Sequence, residues 1–267
     1  MRIDRVILAT DGNPLYLEFW PLVARAWQRI LSVRPTLALI GDETISVPEG
    51  FGDVVRFAPV SGVETALQSQ TIRLLLPTLF PQDVCLLSDL DMLPLNGGYF
   101  ARALVSLPSD RFVVYRDAAY PAQERRIPIC YNVARGDTFR EIFGAGTDDA
   151  MARTISDWAA RSLGWHTDEL VLYEALQNWS HAATRCVRLG RDRLRRIDRQ
   201  RWRFRPWLVP LGWYDDAHLL RPYAAHRREI DRLAWWAGLG DPHRSGGVQM
   251  VSKSDSGKGA SSETTVV

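Results

Sequence analysis

The feature that most restricts the fold is an alternation of short apolar runs with longer amphipathic stretches through the first third of the chain. Apolar runs occupy 6–9, 36–40, 54–57 and 84–87. The first three are each closed by turn-forming residues: Thr10-Asp11-Gly12-Asn13-Pro14 after the first, Gly41-Asp42 after the second, and the Pro59 to Gly62 loop after the third. Between them, the stretch 15–31 sets Leu15, Phe19, Leu22, Val23, Ala26 and Ile30 on one helical face, with Pro14 near its first turn. Residues 63–79 read as a further helix carrying Gln70 and Arg73 among apolar residues. Runs of this kind joined through helices make βαβ units around a largely parallel sheet. In such sheets ligands collect at the carboxyl ends of the strands. Further strands are expected at 112–115 and 130–134, and helices at 148–163 and 168–179. Near the end only a short apolar piece at 233–239 stands out, closed by Gly240-Asp241-Pro242.

The 267 residues suffice for one substantial α/β domain or two small ones, and 46% apolar with 24% charged residues is ordinary globular usage. We expect a single domain over 1–242 and a disordered tail over 243–267, where Ser, Gly and Thr replace large apolar groups. Cys85, Cys130 and Cys186 are sparse and odd in number, which argues for reduced thiols rather than a disulfide framework or a zinc site. The N-terminus lacks the long apolar stretch of a signal peptide, and no window approaches the ~18 apolar residues of a spanning helix. A cytoplasmic protein is the expectation.

The chemistry concentrates at Val84-Cys85-Leu86-Leu87-Ser88-Asp89-Leu90-Asp91. A buried strand delivers two carboxylates, one residue apart, to its carboxyl end. Both can reach one divalent cation where the backbone departs from strand geometry, and carboxylate oxygens suit Mg²⁺ or Mn²⁺. Such an ion offsets charge building on a departing diphosphate. The same two residues would serve as well at a solvated strand end.

Arg73-Leu74-Leu75-Leu76-Pro77, then Leu79-Phe80-Pro81, then the strand ending Ser88-Asp89-Leu90-Asp91 resembles the GT-A glycosyltransferases, closest to the family-8-like group. The likeness spans roughly 5–225 in order and is strong over 70–95. It implies a GT-A fold, a Rossmann-like α/β domain with a mixed, mostly parallel central sheet flanked by helices. It also implies transfer of a sugar from a nucleotide-diphospho-sugar to a hydroxyl acceptor, a glycan or lipid-linked saccharide of surface glycan synthesis. Donor contacts would fall on Thr10, Asp11 and Asn13 for the nucleoside, and on Arg73, Asp89, Asn132 and Arg221. Asn132 stands in Cys130-Tyr131-Asn132-Val133, which is similar to the strand lining the sugar pocket. Asp168 and Glu169 match the helix-start pair near the reacting carbon, although Thr167-Asp168-Glu169 is also a good helix N-terminus. Mn²⁺ or Mg²⁺ would be held by Asp89, Asp91 and His218, with His226 as second choice. His218 stands closer to Arg221-Pro222-Tyr223 than the corresponding histidine does in that group.

Between Arg185 and Arg205 the chain carries ten arginines against two aspartates. This stretch offers a solvated basic face, or peripheral contact with an anionic membrane or a phosphate-bearing acceptor. Nucleic acid is not expected as a partner, because the net charge is only +2 and the only lysines are Lys253 and Lys258. Two other functions remain in play. A nucleotidyltransferase would place a Gly-rich phosphate loop after the first strand, where only Gly12 stands. An inactive nucleotide-sugar-binding module would keep the fold without the turnover.

Overall fold

In the computed structural model, β1 (Arg5–Asp11) is the spine of the molecule, because it is apolar on both faces. Val6 and Leu8 enter one hydrophobic core and Ile7 the other. The description covers residues 1–189 and 195–240, so the expected tail over 243–267 and Arg191 and Arg193 of the arginine-rich stretch lie outside the described residues.

After β1 come α1 (Pro14–Leu17), α2 (Trp20–Leu31), β2 (Pro35–Ile40), β3 (Asp53–Phe57) and α3 (Thr65–Leu75). The expected 15–31 helix is therefore broken near Phe19, and the 63–79 helix tightens into a 3₁₀ turn at Leu76–Leu79, where Pro77 cannot continue the α-helical bonding. Next are β4 (Val84–Leu87), β5 (Met92–Pro94), α4 (Gly97–Arg102), β6 (Phe112–Val114) and β7 (Asn132–Arg135). The second half adds α5 (Gly136–Phe143), α6 (Asp148–Ala160), α7 (Thr167–Asn178), α8 (Ala182–Arg185), β8 (Cys186–Arg188), β9 (Arg196–Ile197), β10 (Asp216–His218) and α9 (Arg227–Trp236).

Seven strands form the main sheet in the order β3-β2-β1-β4-β7-β6-β8. β1 pairs in parallel with β2 and β4, β7 pairs antiparallel with both β4 and β6, and β8 runs parallel to β6. Every strand but β7 thus points the same way, which is the mixed, mostly parallel α/β sheet expected. α2 covers one face with Trp20 and Trp27, helped by the preceding Phe19, and α3, α5, α6 and α7 cover the other through Ile72, Phe139, Ile155 and Leu172. β5, β10 and β9 form a second sheet, with β10 in the middle. β10 pairs antiparallel with β5, setting His218 opposite Met92, and runs parallel to β9.

Four helices, α4, α5, α8 and α9, lie outside the sequence expectation. α5 begins at Gly136, where an added Cβ would sit 2.2 Å from the Phe80 carbonyl oxygen, so the helix packs on the chain at a distance only glycine allows. α9 buries Ile230, Leu233 and Ala234 on one face beneath a surface of arginines, and its apolar set is too narrow to stand out. The three cysteines are free thiols, as expected. No helix of the described residues is long and apolar enough to cross a membrane.

Candidate active site

Because β7 runs against its neighbours, the carboxyl ends of β1, β4 and β6 and the start of β7 share one edge of the sheet. A cavity of about 940 Å³ opens there. Thr10, Asp11, Asn13, Arg73, Asp89, Asp91, Asp168, Glu169, His218 and Arg221 all line it. Asn132 and His226 do not. Asn132 is fully buried and donates from Nδ2 to the carbonyls of Pro128 (2.7 Å) and Ile129 (2.6 Å), so it braces the loop that forms the cavity wall. His226 closes a 3₁₀ turn ahead of α9.

At the β1 end the side chains already have turn duties. Asp11 accepts from the Asn13 amide (3.0 Å) and the Thr65 hydroxyl (2.8 Å), and Asn13 caps α1 by accepting from the Leu15 amide (3.0 Å). The capping role and a position on the cavity wall coexist.

At the centre, Arg73 of α3 is buried and bridges two carboxylates. Its Nη1 meets Asp89, and its Nη2 donates to Asp168 Oδ2 at 2.9 Å. β4 ends at Leu87, so Asp89 and Asp91 sit in the turn before β5, which the Met92 amide closes onto the Asp89 carbonyl (3.2 Å). This is the departure from strand geometry that lets both carboxylates face one side. Asp168 lies in the first turn of α7, where its Oδ1 accepts from the Glu169 amide at 2.9 Å. Burial pushes its carboxyl up to about 7, against the pull of Arg73, with the Glu169 and Asp89 carboxylates adding to the rise.

Pairing of β5 with β10 carries His218 to Asp91, and the Leu219 amide donates to the Asp91 carbonyl at 2.9 Å. His218 Nε2 lies 3.6 Å and Arg221 Nη1 3.7 Å from Asp91 Oδ2. Arg199, just past β9, places Nη2 against both Asp91 Oδ2 and His218 Nε2. Burial raises the Asp91 carboxyl, but the His218 hydrogen bond and the charges of His218 and Arg199 outweigh it and hold the group at about 2.

Glu169 differs from Asp168 in being tied down. Tyr120 donates to it at 2.6 Å, Arg126 at 3.1 Å, and His166 Nδ1 stands 3.1 Å away. Arg126 also stacks over the Tyr120 ring. Glu169 thereby fastens the segment between β6 and β7 over the cavity. Cys130 lines the cavity too, but burial pushes its thiol up to about 12, which leaves no thiolate for nucleophilic work.

The donor set bears on metal binding. Two carboxylates and an imidazole on one wall are chemically suited to Mn²⁺, and the carboxylates to Mg²⁺. As they stand, Asp89 is engaged by Arg73, and Asp91 and His218 share Arg199. No three His, Cys, Asp or Glu side chains among the described residues are gathered closely enough to hold an ion. The donor types suit a divalent cation, with the Arg199 guanidinium standing between Asp91 and His218.

The arginine-rich stretch is not one solvated face. Arg185 pairs with Glu141, Arg188 with Asp117, Arg195 with Asp215, Arg196 with Asp216 and Arg199 with Asp91. Arg196 and Arg199 line the cavity, a role sequence reasoning did not assign to either. The signal was present only as their nearness in sequence to an Ile197 strand residue.

Among solved structures, the chain superposes on the galactosyltransferase LgtC in complex with donor and acceptor sugar analogs. The TM-score is 0.51 at 12% identity, covering 88% of this chain and 95% of that one. The fold is that of the GT-A glycosyltransferases. GlyE of Streptococcus pneumoniae TIGR4 matches at 12% identity with a TM-score of 0.48, over 91% of this chain and 62% of that chain. No family model matches the chain, and no curated protein does.

Proposed function

We propose that this chain is a glycosyltransferase that moves a sugar from a nucleotide-diphospho-sugar to a hydroxyl of a saccharide acceptor. The observation that carries the reading is the Asp89–Arg73–Asp168 bridge, which joins the strand-end aspartate pair to the start of α7 inside one cavity. The nucleoside lies toward Thr10, Asp11 and Asn13, and the diphosphate toward Asp89, Asp91 and Arg221. In the reaction the bond from the anomeric carbon to the phosphate oxygen breaks with its electron pair leaving on the diphosphate. The acceptor oxygen bonds to that carbon and loses its proton to a base.

Asp89, Asp91 and His218 would hold Mn²⁺ or Mg²⁺, which supplies positive charge against the leaving diphosphate. Arg73 fixes the two carboxylates it bridges, so a hydroxyl of the sugar meets oxygens already oriented. Asp168, buried and raised toward neutrality, takes or orients the acceptor proton near physiological pH. Glu169, with its carboxylate spent on Tyr120, Arg126 and His166, is assigned to positioning the wall over the acceptor.

The nucleotidyltransferase reading is disfavoured at β1. A phosphate loop needs free backbone N–H groups, yet those of Asn13, Leu15 and Tyr16 are already bonded to Asp11, Asn13 and the Asn13 carbonyl. Peripheral membrane contact falls to exposed Arg201, Arg203 and Arg205 with Trp207 and Trp213, rather than to the whole stretch. A thermal-shift panel of nucleotide-sugars with and without Mn²⁺ tests the proposal. One donor raising the melting temperature only with metal is the expected result, and no response to any donor sinks it.

A further inference from the structure

Five arginines line the cavity: Arg73, Arg116, Arg196, Arg199 and Arg221. Four are matched by carboxylates. Arg73 has Asp89 and Asp168, Arg196 has Asp216, and Arg199 and Arg221 both face Asp91. Arg116 is the exception. Among the described residues its guanidinium makes no hydrogen bond and no ion pair, while the carboxylate next to it in the chain, Asp117, is taken by Arg188. Arg116 is also partly buried. A half-buried guanidinium facing a cavity without a counter-charge has five donors to offer an anion and has already lost part of its hydration.

Its place in the sheet says which anion. Arg116 follows β6, which runs parallel to β4 with β7 between them. Two strand spacings, about 10 Å, therefore separate it from the Asp89–Asp91 turn, and a third separates it from Thr10 and Asp11. That is the end of the cavity away from the nucleoside. The charge of Arg116 is felt there by Tyr120 and Cys130. Tyr120 in turn donates to Glu169, and Trp165, which is 62% exposed, also lines the cavity. A large indole left in water at a cavity mouth is a stacking face for a sugar ring.

We infer that Arg116 binds an anionic group on the acceptor while Trp165 stacks against the acceptor ring. The acceptor is thus an acidic saccharide, its charge a uronate carboxylate or a sugar phosphate. Calling this ligand the acceptor rests on the glycosyl-transfer reading above. The anion site itself does not.

Calorimetry on the full chain separates the possibilities with three probes: methyl β-D-glucuronide, glucose 1-phosphate and neutral methyl β-D-glucoside. At least one anion binds about tenfold or more tighter than the glucoside, as a charge-assisted hydrogen bond to a guanidinium provides. Which anion gains identifies the source of the charge. Arg116→Gln reduces that ratio to about one at an unchanged melting temperature, since no internal contact is lost, and Arg116→Lys keeps part of it. Equal affinity for all three probes overturns the inference, as does no detectable anion binding, or a preference that survives in Arg116→Gln. A nucleoside diphosphate panel on the wild type distinguishes the two failures. Nucleoside diphosphates that bind without any anion preference discard the Arg116 site and leave the transferase reading standing. An Arg116-dependent preference without nucleoside diphosphate binding does the reverse.

Discussion

Asp168→Asn removes a charge from one of the most buried polar positions in the cavity while keeping the shape of the side chain. Burial raises the Asp168 carboxyl from 3.8 to about 7, so the folded protein holds this proton more tightly than the unfolded chain does. The sign follows from that. The contribution of Asp168 to stability is fully present below 3.8 and is lost as pH rises through about 7. Three pKa units correspond to about 4 kcal/mol between those limits. The asparagine variant has no such loss, so it should be flatter with pH and more stable than wild type at pH 8 by up to that amount. For a domain of this size the gain is on the order of 10 °C in melting temperature. Urea unfolding of both proteins from pH 4 to pH 8 measures it, with transfer activity expected to fall as stability rises. If wild type and Asp168→Asn keep a constant stability difference across that range, the Arg73 pair and not burial sets the carboxyl, and the reasoning fails. The rate should carry the same signature, with kcat/KM rising through about pH 7 as Asp168 ionises in the free enzyme.

Arg199→Met should tighten Mn²⁺ binding to the free protein by about tenfold, read by the loss of free Mn²⁺ signal in electron paramagnetic resonance, because Asp91 and His218 are released from one guanidinium. A weaker or unchanged midpoint would give Arg199 no place between the metal and its ligands. His218→Ala should weaken Mn²⁺-dependent donor binding while His226→Ala leaves it unchanged, since only His218 reaches Asp91. The opposite ranking in the same titration would move the ligand. Asn132→Ala should cost about 1–3 kcal/mol in urea unfolding by stranding the Pro128 and Ile129 carbonyls. Unchanged stability would contradict its bracing role.

The sheet was legible where burial was uniform. β1, β2 and β4 are continuous apolar runs because both faces are covered, and the aspartates ending β4 stood out against that background. What was hidden depends on elements too short to carry a period. β5, β9 and β10 have two or three residues each, yet they carry His218 and Arg199 to Asp91 across more than a hundred positions of sequence. The Arg73–Asp168 pair spans 95 residues, and nothing local in either helix announces it. Asn132 falls on a strand at the place expected of a sugar contact, but its Nδ2 is taken by the carbonyls of its own loop. Arginines that looked like one basic surface divide into pairs with Glu141, Asp117, Asp215, Asp216 and Asp91, because each carboxylate arrives from a distant segment.

Asp91 is the residue on which the proposed chemistry turns, and alanine is a poor probe of it. Removing a buried carboxylate that faces Arg199, Arg221 and His218 leaves unpaired charge and confounds stability with function. Asp91→Asn keeps the volume. The decisive measurement is nucleoside diphosphate release and glycoside product, followed by mass spectrometry, for wild type and Asp91→Asn across a panel of nucleotide-sugars with Mn²⁺. The account predicts that wild type turns over one donor and that Asp91→Asn, folded by circular dichroism, loses at least about 100-fold in rate. Turnover in the variant equal to wild type, or a folded wild type that transfers sugar from no donor in the panel, would contradict it.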